Sequence, residues 1–168
     1  MYTKYEYKLN SVACLNDDNV WTCGDENIMK LFSVIWGTSG TPLYSSGKSN
    51  KYIIENKNLD ICVADEGAEK IVVVNQAGKL RFRYAGDISV PMNKHFYPKG
   101  ITTDSQSHIL INNHFQDCVH ILDQDGQFLR FIYGLKSPWG LCVDTNDNLF
   151  VALSDNKLIK KITYMQES

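Results

Sequence analysis

Residues 119–134 read "VHILDQDGQFLRFIYG", and residues 71–86 read "IVVVNQAGKLRFRYAG". The two align without a gap, Gln76 on Gln124, Gly78 on Gly126 and Gly86 on Gly134. Each is an apolar run, a four-residue turn and a second run alternating apolar with polar. Runs of this kind, rich in Val, Ile, Phe and Tyr between Gly, Asn and Asp clusters, are strands. The Asx-x-x-Gly turn suits a hairpin, because glycine reaches positive φ without a steric penalty.

The repetition extends outward. "PKGITTDSQSHILINN" (98–113) recurs forty residues later as "PWGLCVDTNDNLFVAL" (138–153), with Pro98/Pro138, Gly100/Gly140 and Asp104/Asp144 identical. "NLDICVADEGAEKIVVV" (58–74) is a third copy of the middle of the pattern, and "DDNVWTCGDENIMKLF" (17–32) a degenerate fourth. Each copy supplies a strand after Pro-x-Gly or its equivalent, a polar turn, a second strand, a polar loop and a third strand. The best copies add a fourth strand. No segment has a convincing helical period. Four antiparallel strands in about 40 residues make one blade of a β-propeller, an all-β fold in which stacked blades cover each other's faces. A β-sandwich also uses short strands, but it gives no reason for internal alignment without gaps. The expectation is a single propeller domain over residues 1–168, with blades near 10–38, 50–86, 98–134 and 138–164. Residues 1–9 alternate Tyr5, Tyr7 and Leu9 with Lys4, Glu6 and Lys8, and are expected to add a closing strand to the last blade.

These same stretches resemble NHL repeats, above all the carboxy-terminal propeller of the tripartite-motif family in the group expanded in molluscs and other invertebrates. The resemblance covers most of the chain. It implies a six-bladed propeller that forms the substrate-recognition end of a ubiquitin ligase, binding proteins or RNA stem-loops. Two departures accompany it. The five cysteines and four histidines show no zinc spacing, so neither RING nor B-box is expected here. The length holds about four blades of 40 residues, so the chain reads as a truncated or internally deleted member, with the gap after "NIMKLF". Ligase activity is therefore not expected of it.

Composition narrows the function classes. The chain is 43% apolar and 21% charged with net charge −2, values of a soluble globular protein with no global field for nucleic acid or acidic lipid. No apolar run approaches membrane-spanning length. The start, "MYTKYEYKLN", has no signal-peptide core. Cysteines without a C-x-x-C pair in such a chain read as reduced thiols, and the expected location is cytoplasmic. No cofactor or metal is expected.

Recognition in a propeller concentrates on the loops after the second strand of each blade and between blades. The candidate contacts there are Lys94, His95, Phe96, Lys99, His114, Phe115 and Trp139. Aromatics beside cations can stack bases and hold phosphates, or anchor a peptide. Competing readings stand beside these. Trp139, following Pro138 where a blade begins, reads more simply as core. Lys94, His95 and Lys99 read equally as solvated loop residues. Lys79, Arg81 and Arg83 share one face of a strand as a possible basic stripe for phosphates, although an outer strand simply exposing charge is the plainer account. Asp104 and Asp144 recur at equivalent places and read as turn formers. His108, His114 and His120 fall on different strands or loops, a poor arrangement for one ion. The expected function is a noncatalytic module recognising a protein or RNA, with homo-oligomerisation through open propeller edges as a further expectation. The alternatives are a metal-dependent lyase or lactonase of the propeller class, and a fragment of a full RING-containing ligase.

Overall fold

The computed structural model describes residues 9–14, 20–24, 43–45, 49–87 and 95–165. Every described regular element is a strand. β1 (Leu9–Cys14) pairs antiparallel with β2 (Val20–Gly24). β3 (Lys51–Glu55), β4 (Ile61–Asp65), β5 (Lys70–Val74) and β6 (Leu80–Tyr84) form a four-stranded meander. β7 (Pro98–Thr103), β8 (Ile109–Asn113), β9 (Cys118–Leu122) and β10 (Phe128–Ile132) form the next. β11 (Pro138–Val143), β12 (Asn148–Leu153) and β13 (Leu158–Thr163) form a three-stranded sheet. All pairings are antiparallel. The first strands β1, β3, β7 and β11 neighbour one another in that order and make the inner row of the stack. This is the all-β propeller architecture expected from the repeats. "NIMKLF" and residues 1–8, the body of the anticipated closing strand, lie outside the described residues. Leu9 belongs instead to β1.

Strand alternation explains why the blades stack. In the second sheet, Ile61, Val63, Val72 and Val74 point to one face, where they meet Leu43 and Ile53. Cys62, Ala64, Ile71 and Val73 point to the other and meet Ile101, Ile109, Ile111 and Leu122 of the third sheet. Leu110, Val119 and Ile121, on the far face of that sheet, pack on Leu149, Val151 and Leu153. Every residue of β4, β8 and β9 is buried, because central strands are covered from both sides. Each fully covered Val, Leu or Ile contributes about 1.5–3 kcal/mol.

Turns repeat one chemistry. The Oδ1 of Asn75, Asp104, Asp123 and Asp144 accepts the N–H groups two and four residues on, at 2.8–3.1 Å. The residue three after each has positive φ: Gly78 71°, Ser107 67°, Gly126 86° and Asp147 57°. Those bonds to the backbone, Asn148 N–H first, hold the Asp144 carboxyl below its ordinary pKa. Asp104 does more than turn the chain. Its Oδ2 accepts from the Tyr164 hydroxyl at 2.9 Å and pairs with His108 Nδ1 at 2.8 Å, so one buried carboxylate ties the third blade to the end of the fourth.

His120, on β9, sits between the second and third blades. Its Nδ1 is 2.8 Å from the Tyr84 hydroxyl, and its Nε2 is buried without a partner. The rings of Phe96, Phe128 and Phe131 surround it at 4.7–6.2 Å. Burial lowers its pKa from the usual 6.5 to about 4, and the Asp87 charge only partly opposes this. The unfolded chain therefore binds the proton first as pH falls. Stability contributed by neutral His120 is complete above about pH 6.5 and is lost progressively down to about 4, at most about 3 kcal/mol. Urea unfolding should show His120→Phe with a flatter stability profile than the parent between pH 6.5 and 5. Parallel profiles would remove His120 as the source.

Candidate binding surface

The loops after β4, β8 and β12 and the connections into β7 and β11 lie at one end of the stack. At this end a row of side chains crosses three blades. It begins at Glu66, just past β4. Glu66 Oε1 accepts from the Tyr97 hydroxyl at 2.5 Å and lies 3.0 Å from Lys99 Nζ, and Oε2 accepts from Asn50 Nδ2 at 3.3 Å. Lys99 is only 8% exposed. Its ammonium lies over the rings of Tyr97 (4.9 Å) and Trp139 (4.6 Å), so two π-faces and one carboxylate replace water around it. The bond to Glu66, followed by burial, raises the Tyr97 hydroxyl to about 12.

The row continues on the surface. The Tyr97 ring stacks on Phe115 at 4.7 Å, with the planes 32° apart. His114 sets its edge against Phe115 at 5.4 Å and Trp139 at 5.7 Å. His114 Nδ1 is 3.3 Å from the Pro138 carbonyl, which can only accept, so that nitrogen carries a proton. Asn112 holds the base of the row. Its Oδ1 accepts from Lys99 N–H at 2.7 Å and its Nδ2 donates to the Trp139 carbonyl at 2.6 Å, joining the inner strands of two blades. Gly100 permits that approach, because a Cβ there would stand 2.8 Å from the Trp139 carbonyl oxygen. Phe115 (55% exposed) and Trp139 (45%) remain open to solvent beside His114.

The structure sorts the expected contacts. His114, Phe115 and Trp139 come together, and Trp139, for which core was the simpler reading, is a surface residue. It is the second residue of β11, the last strand of the inner row, where no further blade covers it among the described residues. Lys99 is not a solvated loop cation but a nearly buried partner of Glu66. Phe96 is not a loop contact either: its side chain turns inward between blades, against Tyr84 (5.4 Å) and His120 (5.1 Å), and is buried. His95 stays exposed and lies 3.1 Å from Glu69. Lys94 lies outside the described residues. Arg81 stands at the opposite end, where it binds Asp60, Asp125 (2.5 Å) and the Gln124 carbonyl (3.0 Å). It joins neighbouring blades, its pKa raised chiefly by the Asp60 bond, and is not available to phosphates. Lys79 and Arg83 are exposed. His108, His114 and His120 occupy three separate surroundings, and among the described residues no three His, Cys, Asp or Glu side chains gather as metal ligands would. Glu66 and Tyr97 were missed in the sequence. The available signals were the carboxylate closing the second strand in "ADEG" and the tyrosine directly before Pro-x-Gly.

No protein-family model matches the sequence, and neither does any curated protein. Solved structures do. A streptogramin B lyase superposes with a TM-score of 0.63 at 18% identity, over 90% of this chain and 50% of that one. A catalytically inactive virginiamycin B lyase from Staphylococcus aureus, solved with quinupristin, gives 0.60 at 18% identity, over 98% of this chain and 60% of that one. The WD40 β-propeller domain of Doa1 gives 0.51 at 15% identity, over 64% and 34%. The likeness establishes a β-propeller fold. The chain spans about half the length of the lyases it resembles.

The Glu66–Lys99 pair makes the row mechanically testable. Removing one partner leaves the other charge nearly buried and alone, which costs about 3 kcal/mol. Lys99→Met and Glu66→Leu should each lower stability by that order in urea unfolding, and the double variant should cost less than their sum. Additive losses would show that the two groups act independently.

Proposed function

We propose that this chain is a noncatalytic recognition module, a propeller of NHL type related to the substrate-recognition end of tripartite-motif proteins, and that it binds a protein partner. The observation that carries the proposal is the pair of exposed aromatics, Phe115 and Trp139, held on either side of His114 by two blades. Large rings on a rigid support bury much area while losing little conformational freedom, the character of an interface anchor. The surrounding charge favours protein over RNA. Glu66, Glu69, Asp117 and Asp155 lie in the loops at this end beside the exposed Lys136 and Lys157, and Lys99 is committed to Glu66, so the described loops present mixed charge rather than a basic patch. The module carries no reaction of its own in this proposal. A place in a ubiquitin pathway follows from the NHL resemblance alone. A reducing, cytoplasmic setting is part of this proposal, and Cys62 and Cys142 as free thiols accord with it.

Peptide selection from a displayed random library against the purified chain tests this. Selected peptides should lose about tenfold or more in affinity with either Phe115→Ala or Trp139→Ala, and nothing with Leu129→Ala, on the outer strand of the third blade. Peptides insensitive to both aromatic changes would place recognition elsewhere. A stem-loop RNA pool binding tighter than about 1 µM at physiological salt would replace the protein reading with an RNA one.

A further inference from the structure

The second and third blades finish their outer strands in opposite ways. β6 and β10 are each the last strand of a four-stranded sheet, and no described backbone group bonds to their outer edges. In the gap-free alignment of 71–86 with 119–134, the cations Lys79, Arg81 and Arg83 fall on Gln127, Leu129 and Phe131, and Ala85 falls on Tyr133. Each strand has one bulge, and the residue it leaves unopposed is Arg81 in β6 and Leu129 in β10. Cations along an outer strand keep other strands from pairing with it. β10 lacks them at these positions and carries apolar surface instead: Leu129 is 48% and Tyr133 68% exposed. The rings of Phe128, Phe131 and Tyr133 follow one another along the strand at 4.5 and 5.1 Å. Its one cation, Arg130, is committed to the Tyr164 carbonyl. The strand also runs from an acidic end to a basic one. Asp123 and Asp125 form the turn before it. Beyond it Lys136 is exposed, and Lys160 Nζ donates to the Gly134 carbonyl at 3.2 Å.

From these features we infer that β10 is a docking edge for a second copy of the chain, the two β10 strands pairing antiparallel about a twofold axis at Phe131. Self-complementarity selects this occupant, as an isologous contact requires. Antiparallel pairing sets the Asp123–Asp125 turn of each copy beside Lys136 of the other, so opposite charges meet at both ends of the contact. With the axis at Phe131, Leu129 of one copy stands opposite Tyr133 of the other, twice, and the two most exposed apolar side chains of the strand cover each other. Arg130 then stands opposite Ile132. An axis at Arg130 would instead oppose two guanidinium groups, which is unfavourable. The pairing joins two four-stranded sheets into one of eight and satisfies the edge with main-chain hydrogen bonds. The edge is separate from the Phe115–Trp139 surface, so a dimer carries two such surfaces.

Sedimentation equilibrium of the chain, from micromolar to hundreds of micromolar, tests the inference. One strand edge buries less than a standard interface, so the mass should climb across this range from 19.1 kDa towards twice that value. Leu129→Lys and Tyr133→Lys place cations on the edge at exposed positions. Each should hold the mass at that of one chain with an unchanged far-ultraviolet spectrum. A parent that stays monomeric, or a lysine variant that dimerises as the parent does, would overturn the proposal. Cysteines in a Cys142→Ser background test the register. Opposed Cα atoms in antiparallel strands stand about 4.5–5.5 Å apart, within reach of a disulfide. The double variant Leu129→Cys, Tyr133→Cys should therefore link one copy to the other well above its background. Leu129→Cys alone leaves the two thiols four residues apart along the strands, about 13 Å, and should link no faster than the background. A double variant that fails to link, or a single variant that links as fast, would also overturn the proposal.

Discussion

A four-stranded sheet whose alternate residues are all apolar has no stable state alone, and the rest of this molecule follows from that constraint. Ile109 and Ile111 face one way from β8 and Leu110 the other. Neither set can be covered within its own blade. Stacking covers both, and the inner strands must then approach closely enough for Asn112 to reach the Trp139 carbonyl across Gly100. The polar joins between blades serve the same stack. Arg81 reaches the next blade's turn at Asp125, Ser105 reaches Asp147, and Tyr164 reaches back to Asp104.

The binding surface inherits its rigidity from this arrangement. Phe115 is held because its loop closes a strand buried on both faces, and Trp139 because its backbone is bonded to the neighbouring blade. Beneath them, Lys99 and Glu66 hold charge that water would otherwise solvate. The alkyl and aromatic parts of this row, rather than free cations, are what it offers a partner.

Much of the fold was legible because the blades share local chemistry: Pro-x-Gly at the first strands β7 and β11, Asx residues bonding forward at turns, alternating apolar runs. These are short-range signals, and the Asx turns at 75, 104, 123 and 144, each with two side-chain bonds to the backbone, follow from them. The site was only partly legible, because its members are decided across blades. Nothing local to "HFYPKG" says that Phe96 turns inward to His120 while Lys99 turns to Glu66, more than thirty residues earlier. Arg81 reads as exposed from strand alternation, yet two carboxylates from two blades claim it. Trp139 reads as core from its place after Pro138, where a blade begins. Its exposure depends on the blade that would follow, which no local pattern records.

The central claim is that each blade is held by cover on both faces. Native-state hydrogen exchange resolved by residue measures this directly. The account predicts that amides of β8 and β9 exchange at the slowest rate in the chain, through global opening, while those of the outer strand β10 exchange through smaller, local openings. Amides of β8 exchanging as fast as those of β10 would contradict it.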